Sequence, residues 1–527
     1  MDGIRWAWMP VLAILLSSCG IPQLRPADPG RELPVTFNND ATSDENSSQV
    51  GFEEFFNDPI LTNLIDQGLA GNQQLKILAQ DIEIANNEVL RRRGSYLPFV
   101  TFGGYAGVNK WSPYTLEGAD NVENVLPNGS NFPQPLPDFL AAANLSWQID
   151  IWRQLRNARD AAGLRYLGTA EGRNYVVTRL VAEIAENYYG LMALDKRIEN
   201  LDRTIALQEQ SLKMAKSQKE AAQGTELGVQ RFQAEVRKNQ SQKLIIKQEI
   251  IEVENRINFL VGRYPEAVER MPVDFFHLNL HALNLGVPSE MLQNRPDIRQ
   301  AERELAAAGL DISVARANFY PRLMITSDVG FDVFNPRYIF ASPSSLVYGV
   351  AGNLAAPLIN KMGIQADYKN ANARQLQACY NYQKTVLNAF TEVINRISKV
   401  QNYSTSIELK MQQLQALEAS VNIATQLFQA AQVEYIDVLF AQRDLMDARM
   451  VLIDTKREQL SAIVNTYQAL GGGLVRNQFS EPGSEPPEPE STLPAPKAPM
   501  KDGPAQVPPA PEKRDEADEI DEILGDQ

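Results

Sequence analysis

The chain has 527 residues, 44% of them hydrophobic and 22% charged, with 50 Lys+Arg against 65 Asp+Glu and a net charge of -15. The length would allow three or four ordinary domains, and the near-average apolar content argues against wholesale disorder and against a polytopic helical membrane protein. The acidic balance argues against nucleic-acid binding, which needs clustered cations to displace phosphate counterions, and two Cys cannot build a disulfide scaffold or a four-thiolate zinc site.

The chain opens with a thin positive region, in which Asp2 offsets Arg5, and an apolar run from Trp6 to Leu16. That run is too short to span the hydrocarbon core as a helix, and the small residues after it give the layout of a cleaved secretory signal over residues 1–18. Leu16-Ser17-Ser18-Cys19 resembles the bacterial lipoprotein box, which would make Cys19 the acylated first residue of the mature chain. Cys379 is then without an intrachain disulfide partner and reads as a packing residue. Residues 19–54 read as an extended linker.

A first unit is expected over residues 55–265. It starts with a helix that ends at Ser95-Tyr96-Leu97-Pro98. Two runs of alternating polarity follow, at 97–110 and 138–150: Val100, Phe102, Gly104, Ala106 and Val108 against Thr101, Gly103, Tyr105 and Asn109, then Phe139 to Ile149 against Asn144, Ser146, Gln148 and Asp150. One apolar and one polar face over about ten residues is the pattern of a transmembrane β-barrel strand. The Pro/Asn/Gly-rich stretch Ser112–Pro137 reads as a long outward loop.

Long helices are expected at 152–222 and 226–262. Val177, Ile184, Leu191, Ile198, Ile205 and Leu212 recur every seven residues with no proline nearby, a period that imposes a left-handed supercoil on α-helices.

After a link at 266–288, a second unit spans 289–473, with strands at 321–333 and 345–358 and long helices at 362–431 and 436–470. Its heptads, Val386, Val393, Val400, Ile407, Leu414, Val421 and Phe428, align with the first series at a constant offset of 386 − 177 = 209. Two copies of helix, strand, strand, long helix, long helix are implied. Asn318-Phe319-Tyr320-Pro321 matches the helix-ending signal of the first copy. His277 and His281 have helical metal-ligand spacing, but Phe-Phe-His-Leu-Asn-Leu-His reads as the non-helical link, so no metal or cofactor is expected. Nor is there a nucleophile–base arrangement that would support an enzyme. From Glu481 to Gln527 there are 13 acidic and 4 basic residues and 11 prolines, so 474–527 reads as a disordered acidic tail, leaving -15 + 9 = -6 for the preceding 480 residues.

Four strands cannot close a barrel, and an open edge in lipid leaves backbone groups unpaired. The chain is expected to oligomerise, a dimer pooling 8 strands and a trimer 12.

Several segments resemble the TolC-like outer-membrane efflux proteins: Asn57 to Ile65, Leu145 to Trp152, Leu292-Gln293-Asn294-Arg295-Pro296-Asp297-Ile298-Arg299-Gln300-Ala301-Glu302, Tyr435 to Arg443, and Tyr467 to Gly473. The lipoprotein box is similar to the branch that serves resistance–nodulation–division pumps. The resemblance implies a membrane α+β fold: a homotrimer whose 12-stranded outer-membrane β-barrel continues into a periplasmic α-helical coiled-coil barrel. It implies an exit duct docking a periplasmic adaptor and an inner-membrane pump, with no nucleic acid involved.

It also implies a gate at the periplasmic tip, with Asp437 as an acidic ring position and Phe440 where some members carry a second acid. Ala222, Gly224, Thr225, Ala431, Gln432 and Val433 form the adaptor-docking tip. Ala222 and Ala431 stand where the tip turns of the family usually have Gly, which implies turns displaced from the usual place, onto Gly224 in the first. The competing reading is a non-pore lipoprotein scaffold or coiled-coil adaptor, in which the alternating segments are soluble strands.

Overall fold

The computed structural model describes residues 21–37, 46–126, 129–278, 280, 286–357, 359–430 and 432–474. Three helices lead in: α1 (Phe52–Phe56), α2 (Pro59–Gly71) and α3 (Gln73–Ser95). Asp58 caps α2 by accepting from the Ile60 and Leu61 amides, with Pro59 at the first helical position, where its missing N–H costs nothing. Asn72 caps α3 in the same way through the Leu75 amide.

Strand β1 (Phe99–Asn109) is followed by a short helix α4 (Leu116–Glu123) and by β2 (Leu136–Ile149). The stretch expected as a plain loop thus holds two helical turns, started by Thr115, whose hydroxyl accepts from the Gly118 amide.

The two long helices of the first unit are α5 (Gln154–Glu220) and α6 (Glu226–Val261). The second unit runs α7 (Pro288–Asn294), α8 (Pro296–Ala317), β3 (Arg322–Val333), β4 (Leu346–Ala355), α9 (Met362–Gln429) and α10 (Tyr435–Ala469). At 1.5 Å per residue, the 67 residues of α5 and the 68 of α9 each extend about 100 Å. Proline is absent from both, and Val177, Ile184, Leu191 and Val393 of the heptads are buried.

α3 packs on α5, and α6 packs on α5 as well; α6 ends where α3 begins, so together they accompany α5 along its length. α8 and α10 do the same between α5 and α9.

The four strands form one antiparallel sheet in the order β1-β2-β3-β4. Directly paired residues share a face, and the register lines up the apolar sets. Phe102 pairs with Ala143, Ala143 with Val329 and Val329 with Tyr348, while Thr101, Asn144, Asp328 and Gly349 make the neighbouring row on the other face. The apolar face is uncovered: Phe102 is 81% exposed and Tyr348 and Val350 are 78% exposed. The outer edges of β1 and β4 have no partner strand among the described residues. No described helix is long and apolar enough to cross a membrane.

Two indoles fasten the sheet to the helices. Trp147 donates to the Tyr96 carbonyl at 3.0 Å, and Trp152 donates to the Pro321 carbonyl at 2.7 Å while stacking on Tyr320. Before α5, Arg153 takes a left-handed φ of 57°, and the Asp150 carboxylate accepts from the Leu155 and Arg156 amides.

The N-terminal segment lies extended along α8 and α9. Ile21 and Leu24 pack with Phe319 and Tyr368, Arg25 and Asn372 exchange two hydrogen bonds, and Phe37 stacks on Phe390. Cys379 is a buried free thiol under this segment, with the Asp28 carbonyl 3.9 Å from its sulfur.

Candidate functional site

The far end of the helical bundle is where α5 turns into α6 and α9 into α10. Helix α5 ends in a Schellman motif: the Gln223 amide donates to the Gln218 carbonyl and the Ala222 amide to the Lys219 carbonyl. The left-handed residue of this motif is Ala222, at φ 60°. The turn is therefore not displaced onto Gly224, whose φ is not positive; a Cβ there would lie 3.0 Å from the Lys219 nitrogen. The physical reason is the hydrogen bonding. The two bonds fix the left-handed position one residue past the cap, and the fold accepts the alanine.

Thr225 caps α6 through the Gly228 amide at 3.2 Å. Lys219 and Glu226 close an ion pair across the turn, and this hydrogen bond, with a second from Gln230, holds the Glu226 carboxyl below the usual carboxylate range.

The second turn repeats the wide bond, with the Gln432 amide donating to the Leu427 carbonyl. Cys19 and Ala431 lie outside the described residues. The two turns are tied together: the Gln218 side chain donates to the Phe428 carbonyl at 3.1 Å. Beneath them Phe232, Phe428 and Val438 are buried in one cluster, with Val433 and Tyr435 packed against it. Gln442 of α10 donates to the Ser211 hydroxyl of α5 at 3.0 Å, adding a buried polar tie. The tip candidates Ala222, Gly224, Thr225, Gln432 and Val433 thus belong to one assembly of two cross-bonded turns.

Asp437 and Phe440 stand on the opposite, exposed side of α10. Asp437 is the third residue of the helix, at its positive end, where a carboxylate is favoured. Phe440 is 47% exposed, one turn on, with the Arg443 guanidinium 5.1 Å from its ring centre. Asp444 and Asp447 continue the exposed face at helical spacing, while Val438, Leu439, Gln442 and Leu445 are buried behind it. Asp437 also borders a shallow groove of about 380 Å³ against Ala416, Ser420 and Ile423 of α9. This exposed face of α10 therefore presents Asp437, Asp444 and Asp447 with the Phe440 ring and the Arg443 cation among them. That surface can attract cations or close against copies of itself. No nucleophile–base pair stands on it among the described residues.

The most distinctive sequence segment is not at the tip. Arg295, 2% exposed, donates to the Ala469 carbonyl at the end of α10 (2.7 Å), to Asp297 (2.8 and 3.1 Å) and to Glu392 of α9 (3.1 and 3.2 Å). The matching junction of the first unit uses Asn72, which donates to the Leu260 carbonyl at 2.7 Å. Gly471, at φ 97°, follows α10, and a Cβ on it would meet the Asn294 carbonyl oxygen at 2.7 Å. Gly262, at φ 83°, stands likewise against the Gly71 carbonyl. Both positive φ and close approach demand glycine there. These contacts are invisible in sequence spacing, although 295 − 72 = 223 equals the separation of Pro98 and Pro321.

An amphipathic four-stranded sheet with open edges, carried on helices of about 100 Å, defines the class of outer-membrane channel subunits. The chain belongs to the outer membrane efflux protein family, whose pattern it matches over residues 64–263 and 287–472. It is 25% identical to the cation efflux system protein CusC of Escherichia coli K12 over 88% of this chain and 98% of that one. It is 26% identical to the solvent efflux pump outer membrane protein SrpC of Pseudomonas putida over 81% of this chain and 88% of that one. The crystal structure of CusC shares the fold, with a TM-score of 0.74 and 24% identity over 86% of this chain and 99% of that chain.

Proposed function

We propose that the protein is the exit duct of a tripartite efflux system, conducting solutes passively from an inner-membrane pump of the resistance–nodulation–division type and a periplasmic adaptor to the outside. The observation that carries this reading is the sheet: one uncovered apolar face, one polar face and two open edges. Three copies supply 12 strands, closing a barrel with its apolar face to lipid and leaving no edge unpaired. The helices then form the periplasmic tunnel.

Two structural repeats underlie the protomer, supported by the matched lengths of α5 and α9 (67 and 68 residues) and of α6 and α10 (36 and 35). Residues 1–18 are the signal peptide, Cys19 carries the lipid in the outer membrane, and 474–527 are an appended acidic tail.

The cross-bonded turns around Ala222, Gly224, Thr225, Ala431, Gln432 and Val433 are the adaptor-docking tip. Asp437 and Phe440 form the gate. Three copies of Asp437 near one axis repel each other and attract cations. Single-channel recording of the purified trimer tests this. Asp437→Ala is expected to raise conductance and weaken block by divalent cations; channels indistinguishable from wild type in both would refute the gate. A carbonate-extractable monomer with no conductance would overturn the duct itself in favour of a lipoprotein scaffold.

A further inference from the structure

The two faces of α9 near the sheet are built differently. At 100° per residue, Asn372, Cys379, Gln383 and Phe390 share one face, and the N-terminal segment lies on it through Arg25, Asp28 and Phe37. Gln377, Asn381, Lys384 and Asn388 fall on the opposite face, where α5, α8 and α9 enclose a groove of about 1020 Å³.

The groove's carboxylates are already engaged. Arg295 holds Asp297 at 2.8 Å, and Arg165 holds Glu304 at 3.2 Å and Asp311 at 2.6 Å. Its other two cations, Arg374 and Lys384, are exposed and ion-pair with no carboxylate among the described residues. They lie ten residues apart on one helix, about 15 Å. Between and beside them stand the carboxamides of Gln377, Asn381 and Asn388, above a floor of Ala301, Ala308 and Ala378.

Two spare cations about 15 Å apart, with carboxamides between and beside them and every lining carboxylate already paired, are complementary to an elongated solute with an anion at each end. We infer that this groove is a binding site for long organic dianions, with Arg374 and Lys384 each taking a terminal carboxylate. The Arg374 guanidinium offers the planar fork that a carboxylate matches. In the duct reading the N-terminal face points outward, towards the lipid on Cys19, so the groove faces the lumen. The placement in the lumen rests on that reading; the binding does not.

The test uses the full-length protein in detergent, titrated calorimetrically with dodecanedioate and with the matching terminal diol. Wild type is expected to bind the diacid and not the diol, and Arg374→Gln/Lys384→Gln to bind the diacid at least tenfold more weakly. Equal affinity in the two proteins, or none in either, overturns the site. In bilayers the diacid should reduce wild-type current and spare the double variant. Diacid binding without any conductance keeps the groove and overturns the duct, whereas a conducting channel that binds no diacid overturns the groove alone.

Discussion

Ala222 holds a left-handed backbone at φ 60° in the turn from α5 to α6, where its Cβ crowds the following carbonyl. That conformation costs an alanine on the order of 1 kcal/mol that glycine does not incur. Ala222→Gly is therefore expected to stabilise the turn by about 1 kcal/mol, read as slower hydrogen exchange of the Ala222 and Gln223 amides; unchanged or faster exchange would count against the account. Arg295 shows the opposite economy, a buried cation whose value lies in what it leaves behind. Arg295→Met leaves Asp297 without its cation and Glu392 with only Arg396, 3.6 Å away, and frees the Ala469 carbonyl, and is expected to cost about 3 kcal/mol. Arg295→Lys keeps the charge but loses the two-pronged bond to Asp297, so chemical unfolding should rank it between wild type and the Met variant.

Between elements, the decisive contacts sit where one helix ends and another begins. Lys456 of α10 is buried and donates to the Leu278 carbonyl of the link between the halves (3.0 Å) and to Gln459, with no carboxylate partner among the described residues. Burial pushes its ammonium below the ordinary lysine value. The unfolded chain then binds more protons in the window between the lowered value and the ordinary one, so stability rises with pH across that window. Relative to Lys456→Met, the wild type should gain stability as pH climbs from neutral towards 10; a gap that stays constant with pH would show that the ammonium is not destabilised by burial. The elements differ in how far they can be read from sequence. The seven-residue apolar spacing and the absence of proline are local, and α5 and α9 run unbroken across them. The strand alternation is local too, but that all four apolar sets fall on one face depends on register, which pairing partners supply. The Arg295 tie and the path of residues 21–37 along α9 rest on contacts 174 and 347 positions apart, and no periodicity encodes those; the turn at Ala222 is local, but its two hydrogen bonds leave no spacing pattern to read. Alanine in a place usually held by glycine points towards Gly224, but the preference for glycine is weaker than the two hydrogen bonds that fix the left-handed residue at Ala222.

At the scale of the molecule, a lone protomer leaves too much unfinished. Besides the uncovered sheet face and its two edges, α9 carries Tyr380, Leu387 and Leu409 on one side, 53%, 68% and 62% exposed, roughly a quarter turn from both the N-terminal segment and the groove. At the other flank of the bundle α3 and α6 expose Ile77, Ile84, Leu244 and Phe259. Apolar rows along both flanks of one subunit are complementary in kind, so a head-to-tail ring covers each with the other and closes when the rotation does. The same closure brings a β1 edge beside a β4 edge, so helix packing and strand pairing favour the same assembly. Leu387 is the most exposed of the α9 row, and a carboxylate in its place would have to be desolvated in every interface. Leu387→Asp is expected to leave the protomer fold intact, since the side chain is mostly exposed within it, while shifting the detergent-solubilised protein from the proposed trimer to protomer in light scattering. Loss of the trimer should abolish conductance together with it. A Leu387→Asp protein that stayed trimeric would place the subunit contact elsewhere, and the match between the two exposed flanks would then have to be abandoned.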